Sequence, residues 1–285
     1  MRSLRSSFAA VAMIAMAVAA IAQRREEGRG PRPTGDGPID RGNVPTWPVK
    51  PGFSADNFTF TRIKYSSMGR ERSSYAWFTD YPDADLNLSY RLQELTSMRV
   101  NPDPKVVELT DPELLNYPWV IMSGAGNITL SDREAQSLRN YLSNGGFLMV
   151  DDFWGQTEWD GVHRALKQAF PDLEPVDLPR NHPIFHSVFD IPDELSLQTP
   201  NVRFAIRNKE TGVTWEDNHA GGNTREVHFR GLFDKKDRLM VILCHNTDNG
   251  DGWEEEGSDP WFFSNFSEKK NYPLGINIIF YAMTH

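Results

Sequence analysis

The stretch that decides the fold runs from Tyr117 to Gly155. It opens with Tyr117-Pro-Trp-Val-Ile-Met-Ser-Gly-Ala-Gly126, a nearly unbroken apolar run ending in small residues, the pattern of a central strand and a tight loop. Thr129-Leu-Ser-Asp-Arg-Glu134 follows, with Ser131 and Glu134 at the spacing of a helix capping box and Leu130 just before the cap as a staple. Ala135, Leu138, Tyr141 and Leu142 then recur on one helical face until Gly145-Gly146 stops the helix after Asn144. Phe147-Leu-Met-Val-Asp-Asp-Phe-Trp-Gly155 returns to apolar residues and empties into carboxylates. Apolar strand, helix, apolar strand is the unit of a parallel sheet covered on both faces.

The flanking sequence extends that unit. Phe58 to Tyr65 alternates apolar and polar residues as a strand with one wet face. Asp85 to Leu95 predicts a helix capped by Asp85, Val106 to Leu109 a short strand, and Asp111-Pro112 a turn or brief helix. Further on, Asp160 to Phe170 predicts a helix with Val162, Leu166, Ala169 and Phe170 inward. Leu239 to Leu243 reads as a buried strand, and Leu274 to Met283 as a closing helix. The expected fold is α/β, a three-layer sandwich around a mainly parallel central sheet. Residues 57–285 form one domain, with Asn201 to Arg230 as an elaboration.

Ahead of that body lie two segments of different character. Arg2 and Arg5 precede an unbroken apolar run from Phe8 to Ile21, and Ala20-Ile-Ala22 supplies small residues at a cleavage-type spacing, so residues 1–22 read as an export signal too short for a membrane span. Residues 23–56, rich in Arg, Glu, Gly and Pro, read as a flexible leader. The expected product is exported, periplasmic or extracellular, with no membrane span once the signal is removed. A formal charge of −9, two units more negative without Arg2 and Arg5, repels nucleic acid rather than gathering it. The single cysteine, Cys244, excludes an internal disulfide framework, and its place at the end of an apolar strand predicts a buried thiol.

In a sheet of this kind ligands bind outside the carboxyl ends of the strands. That rule puts Gly124-Ala-Gly126, Asp151-Asp152 and the acidic run His245-Asn-Thr-Asp-Asn-Gly-Asp-Gly-Trp-Glu254 on one rim, with Thr79-Asp-Tyr-Pro-Asp-Ala-Asp85 on a loop nearby. Strand alternation sends Asp151 and Asp152 to different sides, so one carboxylate can face the crevice while the other holds the turn; both can equally be structural. The acidic run fails the twelve-residue calcium-loop pattern. An irregular oxygen-lined site at Asp248, Asp251 and Glu254 and a metal-free surface turn both remain open. His182 and His186 stand four apart, but Pro183 favours extended backbone at His182, leaving that residue either a base or donor at the rim or a turn histidine. Trp77, Tyr81, Trp154, Trp159 and Trp253 accompany the acidic motifs, as a face for sugars or cations or as ordinary lid packing. No nucleophile-elbow, zinc, phosphate-loop or dinucleotide motif occurs.

Several landmarks occur in a joint order that resembles the bacterial DUF4159 family, which has no assigned activity. They are Phe60-Thr-Arg62 with Tyr65, Trp77 with Thr79-Asp-Tyr-Pro82, Tyr117-Pro118, Gly145-Gly-Phe-Leu148 with Asp151-Asp-Phe-Trp-Gly155, His182-Pro-Ile-Phe185, Asn246 with Asp248 and Trp253-Glu254, and Gly275 with Asn277. The resemblance implies a class I glutamine-amidotransferase-like, flavodoxin-like sandwich. That fold often carries a cysteine at a strand-to-helix elbow; here Asp152-Phe-Trp-Gly155 occupies the region, so amidotransferase activity does not transfer. The residues together lead us to expect a ligand-binding or protein-interaction module whose rim site uses Asp80, Asp152, Trp154, His182, Asn246 and Asp248. A small polar ligand or an envelope protein would be its partner. No cofactor is expected, and a divalent cation stays open. The alternative is a hydrolase, metal-assisted or carboxylate-based, with Asp152 and His182 as its candidate catalytic residues and a polar envelope or carbohydrate substrate.

Overall fold

The apolar runs become the strands of one sheet. A computed structural model of the protein describes residues 37–49, 57–67 and 73–285. Its strands are β1 (Thr61–Lys64), β2 (Ser66–Ser67), β3 (Lys105–Glu108), β4 (Trp119–Ser123), β5 (Ile128–Thr129), β6 (Phe147–Phe153), β7 (Val176–Asp177), β8 (His228–Phe233) and β9 (Leu239–His245). Seven of them form one sheet in the order β3-β1-β4-β6-β9-β8-β7, and β2 pairs with β5 apart from it. The first five are mutually parallel, and β8 and β7 close the edge antiparallel. The chain steps outward from β1 to β3, then crosses back to β4, so the winding reverses between β1 and β4, where such sheets leave a crevice.

The helices cover both faces as the continuous apolar strands require. On one side α2 (Asp132–Ser143) and α3 (Gly155–Ala169) pack Leu138, Leu142, Val162 and Leu166 against Val120, Leu148, Val150 and Val241. On the other, α1 (Asp83–Leu95) and a closing helix from Tyr272 to Thr284 pack Leu88, Leu92, Ile276 and Ile279 against Phe60, Trp119, Met149 and Ile242. The two layers of side chains come from alternate residues of the same strands, and together with the sheet they make three layers. Ser131 and Glu134 form the capping box expected of α2.

Some boundaries differ from the sequence reading. Helix α3 starts at Gly155 rather than Asp160, because the Glu158 carboxylate accepts from the Trp154 backbone N–H at 2.7 Å and substitutes for a side-chain cap at the first residue. Asp85 lies inside α1 rather than at its cap, paired with Arg62. The acidic run expected as a loop is helical over Asn249–Glu254 (α5), capped by the Asp248 carboxylate, which accepts from Asp251 N at 2.8 Å. The elaboration contains a short helix, Val202–Arg207 (α4), and feeds β8, an antiparallel strand the sequence reading did not anticipate.

The expected signal over residues 1–22 lies outside the described residues, as does most of the leader. Within the described part of that leader, Arg41 and Trp47 contact the body. Arg41 donates to Pro102 O at 2.8 Å, the Trp47 indole N–H donates to Val100 O at 2.7 Å, and the Trp47 ring lies 6.0 Å from Tyr90.

Candidate functional site

Arg62, on β1, organises the first wall of the site. Its side chain is 1% exposed and grips the Asp85 carboxylate through Nε and Nη2. The remaining guanidinium nitrogen donates to Trp77 O at 3.1 Å and Thr79 O at 2.8 Å. A buried arginine with its charge and donors satisfied is a rigid post. It fixes the loop that presents Asp80, whose backbone is left-handed at φ 64°, a conformation that aspartate tolerates better than most residues. Asp80 Oδ2 is buried and has no hydrogen-bond partner.

The second wall is the end of β6. The β6–β9 register shifts between Val150 and Phe153, and Asp152 takes a left-handed φ of 52°. This bulge separates the two carboxylates. Asp151 is wholly buried and turns toward α5, where it accepts from Asn249 N at 2.9 Å, Gly250 N at 3.0 Å and Asn249 Nδ2 at 2.7 Å. It is the anchor of α5. Asp152 is half-buried and accepts only from the Trp154 indole, at 3.1 Å. Next to it the Glu158 carboxylate lies 3.3 Å from His219 Nδ1, and Glu216 lies 3.4 Å from His219 Nε2.

Helix α5 supplies the third wall. Its i,i+3 spacing puts Asp251 and Glu254 on one face, opposite Asp80. Gly250 is needed there, since a β-carbon would fall 2.0 Å from Asp80 Oδ2. Asp251 Oδ2 accepts from Val202 N at 2.8 Å. One carboxylate oxygen from each of Asp80, Asp251 and Glu254 lies within 4.8 Å of the others.

Electrostatically the rim is a concentration of uncompensated acid. Among the described residues no Lys or Arg forms an ion pair with Asp80, Asp151, Asp152, Asp248, Asp251 or Glu254. Burial, then Asp251 and Asp152, holds Asp80 well above the usual carboxylate range; burial, then Asp151 and Glu158, does the same to Asp152. Asp248 is raised by burial and by Asp152. Burial lifts Asp251 to about 6 and, with Asp251 beside it, Glu254 to about 8. Burial alone would lower His219, but Glu158 and Glu216 outweigh it and raise the imidazole to about 10, so it is the local cation.

The structure thus brings Asp80, Asp152, Asp248, Asp251 and Glu254 to one rim, and it assigns Asp248 to capping. Two other sequence candidates fall elsewhere, and a third is buried behind the rim. His182 is at the opposite end of the sheet, its ring 5.5 Å from Tyr281 and 6.3 Å from Phe233, with Nδ1 accepting from Ile184 N at 3.2 Å. It is a turn histidine, because Pro183 begins a short 3-10 helix that His182 caps. Asn246 is wholly buried and stitches backbone: Gly155 N donates to its Oδ1 at 2.8 Å, and its amide donates to Asn223 O and Glu226 O. Trp154, like Trp77 and Trp253, is packed in the interior, so none offers a face to a sugar. Cys244 is buried on the sheet, where burial pushes its thiol up. Glu158, Glu216 and His219 escaped the sequence reading. Only Glu158 carried a signal, four residues past Trp154 on the same helix.

Parallel strands whose carboxyl ends converge on acid define an α/β protein with a carboxylate-lined rim site. Residues 59–283 match the family model described as a domain of unknown function, DUF4159, and the chain belongs to that family. No curated protein matches the chain. Among the described residues no helix is long and apolar enough to cross a membrane.

Proposed function

We propose that the protein is an extracytoplasmic binding module whose rim site takes a small polar ligand carrying positive charge. The observation that supports this most directly is the set of carboxylates at Asp80, Asp152, Asp251 and Glu254, held together without a Lys or Arg partner and raised by burial and then by neighbouring acids. Such an arrangement is unfavourable when empty and is relieved by a cation. The burial of Trp77, Trp154 and Trp253 favours a cationic ligand over a stacked sugar. The amino-terminal pattern Arg2, Arg5 and Phe8–Ile21 supports export. The doubly wound strand order, with a strand-to-helix turn at Asp152, supports the finer placement of the fold with the class I glutamine-amidotransferase-like proteins.

Calorimetric titration with a panel of amines, neutral polyols and carboxylates tests the reading. Amines should bind, and Asp152→Asn should weaken them at least tenfold. Preferential binding of the carboxylates, or amine binding indifferent to Asp152, overturns it. One observation favours a second reading as a carboxylate-based hydrolase. Asp152 takes a left-handed backbone in the bulge at the end of β6, just ahead of α3, with its carboxyl raised by burial and then by Asp151 and Glu158, the position from which a nucleophile would act.

A further inference from the structure

We propose that Asp80, Asp251 and Glu254 together hold one hard divalent cation, of the calcium, magnesium or manganese class. The inference rests on the acidic rim being the binding site and names one thing bound there. Three observations carry it. First, the three carboxylates each place an oxygen within 4.8 Å of the other two. A calcium ion with bonds of roughly 2.4 Å spans about that distance between opposite ligands, so an ion fits among them without movement of the backbone.

The second observation is independent of the clustering. Asp80 Oδ2 is buried and accepts no hydrogen bond, although buried carboxylate oxygens in folded proteins nearly always find a donor. Every other requirement around it is met: Arg62 is spent on Asp85 and on the carbonyls of Trp77 and Thr79, and no ion pair reaches Asp80 among the described residues. Asp80 is thus fixed in place by its neighbours while its own oxygen is left for something that the polypeptide does not supply. Gly250 makes room for it, since any β-carbon there would stand 2.0 Å from that oxygen.

The third observation is a division of labour among the acids of α5. Asp248 caps the helix through Oδ1, and Asp151 gives Oδ2 to the first N–H groups and Oδ1 to the Asn249 amide, so both serve the helix itself, and neither belongs to the trio of converging oxygens. Asp251 gives Oδ2 to Val202 N and meets Glu254, half-exposed at the opening, in a carboxyl–carboxyl hydrogen bond whose proton a cation would replace. The ligand set is therefore Asp80, Asp251 and Glu254, rather than the contiguous Asp248, Asp251 and Glu254 that the sequence suggests. An all-oxygen set selects hard cations over zinc or copper; water completes the shell on the open side.

The test uses the full protein, stripped with a chelator, and titrates calcium chloride and manganese chloride separately by calorimetry, with thermal unfolding run in parallel. One site per chain is expected, with affinity reduced at least tenfold in Asp80→Asn and in Glu254→Gln. Asp217→Asn, an exposed acid in the elaboration, should bind as the unmodified protein does. Folding of each variant is checked by its metal-free melting temperature, and Glu254→Gln keeps the test open should Asp80→Asn fail to fold. Absence of binding at millimolar metal by folded protein overturns the proposal, as does binding that both substitutions leave unchanged. The amine titration separates the two readings. Amines bound without metal sink only the cation site; metal bound at these residues with no amine recognised sinks the ligand reading and keeps the cation site.

Discussion

Replacing Asp151 by asparagine strikes the one rim carboxylate that serves three donors. Its Oδ2 takes the N–H groups of Asn249 and Gly250, and its Oδ1 takes the Asn249 amide at 2.7 Å. An asparagine that keeps its oxygen toward the two backbone groups turns an NH2 onto the Asn249 NH2, donor against donor. Asn249 is not free to flip, because its own oxygen accepts from Asn271 Nδ2 at 3.0 Å, and Asn271 is tied in turn to Thr199. One buried donor left without an acceptor costs about 1–3 kcal/mol. The opposing effect is charge. Burial, resisted by the bonds from Asn249 and Gly250, raises Asp151 to about 7. A carboxyl group raised on folding contributes stability that is present below its unfolded value and is lost as pH rises through the folded one. Asparagine does not titrate, so the penalty should be greatest in acid. We expect a loss of about 2 kcal/mol at pH 5, or roughly 4–8 °C in Tm for a body of this size, narrowing as pH passes about 7. Urea unfolding at pH 5 and pH 8 reads it out. Asp152→Asn is the internal control, since that carboxylate gives up a single indole bond; it should raise stability at pH 8. An unchanged midpoint at pH 5 for Asp151→Asn would refute the assignment of Asp151 as the anchor of α5, and a penalty that grows toward pH 8 would refute the raising of its carboxyl by burial.

Three further outcomes follow from the same geometry. Gly250→Ala should cost about 1–3 kcal/mol despite the better helix former, because the new methyl meets Asp80; stability equal to or above that of the parent would show that the carboxylate moves freely. His219 is held protonated by Glu158 and Glu216 with its value raised to about 10, so its contribution is complete below about pH 6.5 and is lost as pH rises through about 10. His219→Gln should flatten that alkaline decline in melting temperature, and curves that remain parallel would count against it. Cys244 should label slowly with a thiol reagent in the native protein and fast in urea, since it is buried and its thiol is raised; rapid native labelling would contradict the packing.

The layers of the fold were legible because they rest on local periodicity. Val120, Leu148 and Val241 announce buried parallel strands, and Ser131 with Glu134 announces a helix start, each within a few residues of chain. The rim was legible in outline, since strand ends are where Asp152 and Asp248 had to fall. What did not show was which carboxylates face inward. That depends on a bulge at Asp151-Asp152, on α5 forming where Asp-Gly pairs suggest a turn, and on Asp80 being held by Arg62 from another strand. Strand β8 was missed because His228, Arg230 and Gly231 break the apolar run that marked its neighbours. His182 misled because a sheet has two ends and its motif, a proline-started turn, suits either.

The site has no contiguous origin. Its first carboxylate sits at residue 80, its second wall at 151–152, its third at 248–254, and Asn271 locks Asn249 from later still. Nascent chain that ends before Asn271 therefore has the acids but not the enclosure, and a fragment that begins after Asp80 lacks the first wall. Mutual repulsion among those acids further disfavours early assembly, before the apolar layers can hold them together. Binding competence should thus arrive with the final docking of the carboxyl-terminal helix, which makes it a direct report of completed folding.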